Sequence, residues 1–308
     1  MKKQEILSAG LLLLAAMIWG VAFVAQDAAA GLIEPFTLNA VRSFIAAAAL
    51  VPVAGVTRGM RGLPLLERDN KGRRDLMLAG GCCGALLAVA VNFQQFGIAM
   101  YPDGAAAAGR AGFLTALYIV FVPLIGLFFG RKPSVSVFVA VGIATVGLYL
   151  LCLSGGIGAL YLGDVVVLCC AVAFAMQILC VDRFIDRVDG VKLSSVMFLV
   201  CGTLSAILMV LFEHPSLSAL IASWRPILYL ALLSSAGGYT LQIIGQKYAR
   251  SPAVASILMS MESVFAVLGG VVLAGERMLP REVLGCAVML VAIIIAQLPS
   301  KPLHSHPQ

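Results

Sequence analysis

Ten apolar segments follow one another along this 308-residue chain, with short polar gaps between most of them. They run approximately over 6–26, 36–56, 76–99, 104–129, 133–153, 161–181, 191–212, 226–247, 253–274 and 280–298. Each has the length of a helix that crosses a bilayer, about 20 residues. Lipid offers the backbone no hydrogen-bond partner, so a spanning segment must satisfy itself as an α-helix or close into a β-barrel. A barrel strand would alternate apolar and polar residues over about ten positions. The runs Leu11 to Leu14 and Ala105 to Ala108 do not alternate. Composition agrees, with 61% hydrophobic and 12% charged residues, against about 25% charged in a soluble domain. Disorder is excluded by the same apolar excess. The expected fold class is an all-α integral membrane protein with ten transmembrane helices.

The positions of Lys and Arg give the orientation. With the amino terminus inside, sixteen of the 21 fall in inner loops, among them Arg58, Arg74, Arg131, Arg187 and Arg250. Three fall outside: Arg225, Arg277 and Arg281. Arg42 and Arg110 lie within helices. Such a bias marks cytoplasmic loops, and one missed helix would invert every later loop. Both termini are therefore expected in the cytoplasm. The net charge of +6 belongs to these loops and not to a nucleic-acid surface. Lys2 and Lys3 before an apolar stretch resemble a signal peptide, but the run Ile6 to Ala25 exceeds a usual signal core.

The chain also reads as two copies of one pattern. Gln94 and Gly97 of Asn92-Phe-Gln-Gln-Phe-Gly97 fall on Gln242 and Gly245 of Thr240-Leu-Gln-Ile-Ile-Gly245. Each motif precedes a small-residue helix opening, Gly104-Ala-Ala-Ala-Ala and Pro252-Ala-Val-Ala-Ser. Trp19-Gly20 corresponds loosely to Phe174-Ala175. The repeats span 1–153 and 158–298, with 299–308 as a cytoplasmic tail. Five helices per repeat is an odd number, so the second copy runs in the opposite sense, an inverted repeat. This plan recurs in secondary transporters, whose substrate sits near the midplane between rocking halves.

Gly112-Phe-Leu-Thr-Ala-Leu-Tyr-Ile-Val-Phe-Val-Pro123, Met261-Glu-Ser-Val-Phe-Ala-Val-Leu-Gly-Gly270 and Leu273-Ala-Gly-Glu-Arg277 resemble the drug/metabolite transporter superfamily. The match is to its EamA-like ten-helix permeases and covers nearly the whole chain. The resemblance implies a permease, often an exporter of amino acids or other metabolites, in a bacterial inner membrane. It also implies a packing or anchoring role for Arg42. Where the family frequently has Pro, this chain has Ser263, which removes a helix break at that point.

Ionisable and amide groups inside the membrane are costly and default to functional candidates. Glu262 is the one acidic residue deep within a segment, and it suits either a structural bond or a substrate and proton site. Arg110 offers a planar fork for a substrate carboxylate, unless it snorkels to the outer headgroups. Asn92 and Gln95 share a helix face, and with Tyr239 and Gln242 of the second repeat they suit either bonding between helices or a water-filled cavity. Trp19 and Tyr118 suit interfacial anchors or cavity walls, and Trp19 is too deep for a belt residue. These eight residues form the expected substrate site. Gly80 and Gly84, and Gly126 and Gly130, have the spacing of close helix contacts.

The eight cysteines lie in apolar segments without metal spacing, and the three histidines lie in loops or the tail. No metal or other cofactor is expected. No HExxH, GxSxG or Walker motif is present. A small-molecule transporter is the first reading, with protons as a co-substrate; a membrane-embedded enzyme or a non-transporting sensor are the alternatives. Reporter fusions after Arg68 and Arg187 should read cytoplasmic, and one after Ser218 external. A cytoplasmic signal at Ser218 would end the ten-helix reading.

Overall fold

Backbone hydrogen bonding within each apolar segment yields a helical chain. The computed structural model describes residues 3–60, 69–102, 107–152, 161–274 and 279–297, and among them there is no strand. The expected tail and the Glu276-Arg277 pair lie outside the described residues. The first half holds α1 (Lys3–Ala30), α2 (Pro35–Gly59), α3 (Asn70–Ala99), α4 (Ala107–Ala116), α5 (Tyr118–Phe128) and α6 (Val135–Cys152). The second holds α7 (Leu162–Phe184), α8 (Gly190–Phe212), α9 (Leu217–Ala222), α10 (Trp224–Leu228), a π-helix (Tyr229–Gly238), α11 (Tyr239–Lys247), α12 (Pro252–Met259), α13 (Glu262–Ala274) and α14 (Pro280–Gln297).

Among the described residues, eight helical runs are long and apolar enough to cross a membrane, including the composite runs Arg110–Phe128, Trp224–Lys247 and Pro252–Gly269. Segments 133–153 and 280–298 give shorter apolar stretches, Val135–Leu150 and Val283–Ala296. Large apolar side chains such as Val51, Val146, Leu211 and Ile294 stay exposed on the rim, as a lipid-facing surface requires.

Helix ends are closed by polar residues from the sequence and from neighbouring helices. The Asp189 carboxylate accepts from the Val191 and Lys192 amides at 3.1 and 3.2 Å, and Ser251 accepts from Val254 N ahead of Pro252. These are preferred helix starts. At α2, Glu213 from the end of α8 takes the Phe36 and Thr37 amides at 2.7 Å each, and the Thr37 hydroxyl as well. A carboxylate there satisfies free amides and complements the helix dipole.

Packing follows a pattern that survives exchange of the halves. α3 lies along α7, and α1 lies along the π-helix and α11; α2 packs on α8, and α6 on α14. The two glycines matched in the sequence hold matched crossings. A Cβ on Gly97 would meet Val167 at 2.4 Å, and one on Gly245 would meet Leu12 at 2.8 Å. Each permits backbones to approach as only small residues do.

Gly80 and Gly84 do make a close contact, against Val196 and Met197–Val200 of α8. Gly126 and Gly130 do not. A Cβ on Gly126 would find only ordinary contacts, and Gly130 has open space and φ +74° at the end of α5, a backbone position that glycine adopts freely.

Two glycines one turn apart test this packing. At Gly81 a Cβ would meet nothing within 4 Å, whereas at Gly84 it would lie 2.6 Å from the Met197 carbonyl. Gly81→Ala should leave stability unchanged or raise it by up to about 1 kcal/mol through helix propensity. Gly84→Ala should lower it by about 1–3 kcal/mol. Thermal unfolding of the detergent-purified protein measures both; equal effects would show that α3 and α8 do not cross there.

Candidate substrate cavity

Two of the long helices are broken at matched places. α4 gives way to α5 at Leu117, and α12 to α13 at Ser260–Met261. Leu117 (φ −62°, ψ −6°) and Ser260 (φ −63°, ψ −10°) adopt nearly the same backbone conformation. Around them the hydrogen bonds shorten to three-residue steps, Leu117 N to Leu114 O and Met261 N to Leu258 O, both at 3.3 Å. Tyr118 and Glu262 are the first residues of the helices that resume.

The second break occurs without proline, against the expectation from Ser263. Serines replace it: Ser256 and Ser260 donate to the carbonyls three residues back, at 2.8 Å each, and Ser263 donates to Gly112 O at 3.2 Å. Such back-bonding offers the carbonyls an alternative to the helix ladder and bends it. α1 also presses on the break, where a Cβ on Gly20 would lie 2.7 Å from the Glu262 carbonyl.

Both breaks face one cavity of about 40 Å³. That is room for a few water molecules, so a metabolite enters only if the surrounding helices part. α1 contributes Trp19, Phe23 and Gln26, and α2 contributes Arg42; α7 supplies Phe174 and Gln177, and the run Trp224–Lys247 supplies Ser234, Tyr239 and Gln242. The Trp19 indole donates to the Ser234 carbonyl of the π-helix at 3.1 Å and stacks 4.9 Å from Tyr239. Gly238 leaves the space for this ring, since a Cβ there would lie 2.6 Å from the indole nitrogen. Wide helical turns of this kind frequently occur at functional sites.

Amides line the cavity as two matched pairs. Gln26 donates to Gln94 at 3.2 Å in the first half, and Gln242 to Gln177 at 3.2 Å in the second. Gln94 also donates to Thr115, one turn before the first break. At the breaks themselves, the buried Tyr118 hydroxyl and the Glu262 carboxyl face each other, but neither the hydroxyl nor Glu262 Oε1 has a partner in regular hydrogen-bond geometry. Unpartnered polar atoms beside a cavity are positioned for a ligand, because burial alone would be unfavourable.

Arg110 lies elsewhere. Its Nε and Nη2 grip Asp164 of α7 at 3.1 and 2.6 Å, and its guanidinium lies 4.8 Å from the Tyr161 ring centre. Asp164 also accepts from the Tyr101 hydroxyl at 2.7 Å and from Tyr161 N at 2.9 Å. Burial, and then the bond to Asp164, raise the Tyr101 hydroxyl above its ordinary pKa and hold it protonated. At the other end of the bundle, Arg250 grips Glu5 with the same fork, Nε at 2.9 Å and Nη2 at 3.0 Å. Tyr248 shares that crevice. Each pair ties the start of a broken helix in one half to the start of α1 or α7 in the other.

A profile of the EamA-like transporter family matches this sequence twice, over residues 6–153 and 161–297. The chain belongs to the EamA-like transporter family. An uncharacterized transporter of Archaeoglobus fulgidus is 26% identical over 295 residues, 93% of this chain and 84% of that protein. A protein of known crystal structure superposes with a TM-score of 0.75 over 94% of this chain and 96% of its own, at 21% identity, and shares the fold. This EamA-like protein is thus a multi-pass membrane transporter of a small molecule and not an enzyme.

Of the eight residues expected at the site, Trp19, Tyr118, Tyr239, Gln242 and Glu262 line the cavity of this EamA-like chain. Asn92 and Gln95 face helix contacts instead: Asn92 joins Asn39 at 2.8 Å and Ser205 at 2.9 Å, and Gln95 donates to the Gln26 carbonyl at 3.1 Å. Arg110 does not line this cavity, and its fork holds Asp164. Gln26, Gln177 and Ser234 carried no signal in the sequence, and Arg42, expected to pack or anchor, also lines the cavity. Gln94 carried a signal as the repeat mate of Gln242. Tyr118→Phe should change the melting temperature little, since the hydroxyl faces Glu262 without regular hydrogen-bond geometry and has little bonding to lose, while transport falls. A loss of stability would show that the hydroxyl is bonded within the protein.

Proposed function

We propose that this chain is a secondary transporter that exports small metabolites such as amino acids, by alternating access around the cavity between its two repeats. All ten apolar segments cross the bacterial inner membrane. The repeats, 1–153 and 158–298, are inverted relative to each other, and both termini, with the 299–308 tail, lie in the cytoplasm. The exchange of helix contacts between halves supports the inversion, as do the matched crossings at Gly97 and Gly245. The charge bias of the loops supports the orientation.

The observation that carries this reading is the placement of the two helix breaks, one from each half, on one cavity with an ion pair beyond it in each direction. Discontinuous helices around a central site are a recurrent transporter device. Following the chain, Arg110–Asp164 lies at the end where α3 finishes and α7 starts, and Arg250–Glu5 at the end where α1 starts. Each joins the two repeats, so each acts as a gate latch.

The latches differ in strength. Side-chain exposure is 14% and 6% for Arg110 and Asp164, but 32% and 21% for Arg250 and Glu5. Exposed ion pairs contribute little, about 0–1 kcal/mol, so the inner latch releases more easily and the resting protein opens inward. Glu262 takes up a proton as the cavity changes sides and couples transport to the proton gradient.

Cysteine accessibility tests the gates. In a background without native cysteines, Ala22→Cys places a thiol on the cavity wall. Replacing Arg110 with Gln together with Asp164 with Asn removes both charges, because deleting one alone leaves a buried charge unpaired. This pair should raise labelling by an impermeant maleimide added outside by at least about tenfold; Arg250→Gln with Glu5→Gln should do so in inside-out vesicles. Glu262→Gln should insert normally and lose most net transport of a metabolite panel, with a flat pH profile. Unchanged labelling in both double variants, or wild-type transport by Glu262→Gln, would overturn the mechanism.

A further inference from the structure

One charged side chain on the cavity is used by nothing in the transport scheme above. Arg42 of α2 is 4% exposed and lines the cavity. Its titratable neighbours are Tyr239 and Cys201, and no hydrogen-bond acceptor or carboxylate among the described residues engages its guanidinium. No ion pair joins it to Glu262, the acidic residue on the same cavity. Three other described arginines each hold a carboxylate: Arg110 has Asp164, Arg131 has Asp182 and Arg250 has Glu5.

A buried, permanently charged fork without an acceptor is unfavourable. Its five donors are arranged for the two oxygens of a planar anion. We propose that Arg42 is the binding site for the carboxylate of a small monoanionic substrate. This inference rests on the cavity being the transport site.

The charge count and the wall chemistry narrow the ligand. Arg42 is the one cation among the described residues that line this cavity, and Glu262 lies on the same wall. A phosphate dianion would set two charges against one cation and add repulsion from the carboxylate. A monocarboxylate matches the single fork. Beside Arg42, the Tyr239 ring packs between Trp19 at 4.9 Å and Phe198 at 5.3 Å, so the rest of the ligand meets an aromatic wall and is apolar.

The test uses the full chain purified in detergent, with its melting temperature read against benzoate, butyrate and inorganic phosphate. Benzamide and butyramide serve as neutral matches of the carboxylates. Benzoate or butyrate should raise the melting temperature, and the amides should not. Arg42→Gln should abolish the carboxylate shift while eluting as a single species in size exclusion. Arg42→Lys should retain it with at least tenfold weaker affinity, because an ammonium has the charge without the fork.

Trp19→Ala and Glu262→Gln separate this inference from the reading beneath it. If Arg42→Gln keeps the shift while Trp19→Ala loses it, the cavity binds ligand but Arg42 does not hold the carboxylate. If none of the three variants alters a shift seen in the parent, the ligand binds outside this cavity and both readings fail. No shift with either carboxylate, equal shifts with acid and amide, or a shift with phosphate alone would each overturn the carboxylate assignment.

Discussion

A helix interrupted inside a bilayer releases carbonyls and amides that lipid cannot satisfy, and the rest of this structure is arranged around that constraint. The breaks at Leu117 and Ser260 are tolerated because they sit within protein, not against lipid. Ser256, Ser260 and Ser263 supply hydroxyls to carbonyls at the second break, and short backbone steps tighten both. α1 can cover α13 because Gly20 brings its backbone against the Glu262 carbonyl. The polar ends of two half-helices therefore converge on one small cavity, and the side chains that follow them, Tyr118 and Glu262, are drawn to its wall.

The same constraint explains the distribution of polar side chains. Amides that face a neighbouring helix are bonded to it, as Gln95 is to α1 and Gln246 to the Ile178 carbonyl of α7. Gln242 on the cavity is likewise bonded through its nitrogen, to Gln177, and the Oε1 atoms of Gln95, Gln242 and Gln246 alike have no partner. The two bidentate latches stand apart from these amides. They hold the repeats together in this conformation, yet each consists of groups that water can solvate at the ends of the bundle.

Hydrophobic periodicity made the helices legible, because segment length and charge bias act locally and along the chain. The duplicated Gln-x-x-Gly motif likewise exposed the repeat. Glu262 stood out as an isolated acid, Trp19 as an aromatic too deep for an interface, Tyr118 as an anchor or cavity wall, and Tyr239 as part of a polar set in the eighth segment. Arg110 looked similar by depth alone, but depth does not reveal a partner 54 residues away in sequence. Asp164, near the start of the segment 161–181, gave no sign in the sequence that it would meet Arg110. Ser263 gave no sign of a break, since serine bends a helix only when its hydroxyl finds a carbonyl to engage.

The sequence by itself determined that this chain is a helical membrane protein built twice over, because the bilayer imposes its thickness and its lack of hydrogen-bond partners on every segment separately. Which polar groups meet was decided only by the tertiary structure. Helices three-dimensionally adjacent but far apart in the chain bring Gln26 to Gln94 and Gln177 to Gln242, and give Arg110 a carboxylate while leaving Arg42 without one. The physical reason is that a buried charge takes its meaning from its partner, and partners across a helix bundle are set by packing faces and crossing points, which no single segment encodes.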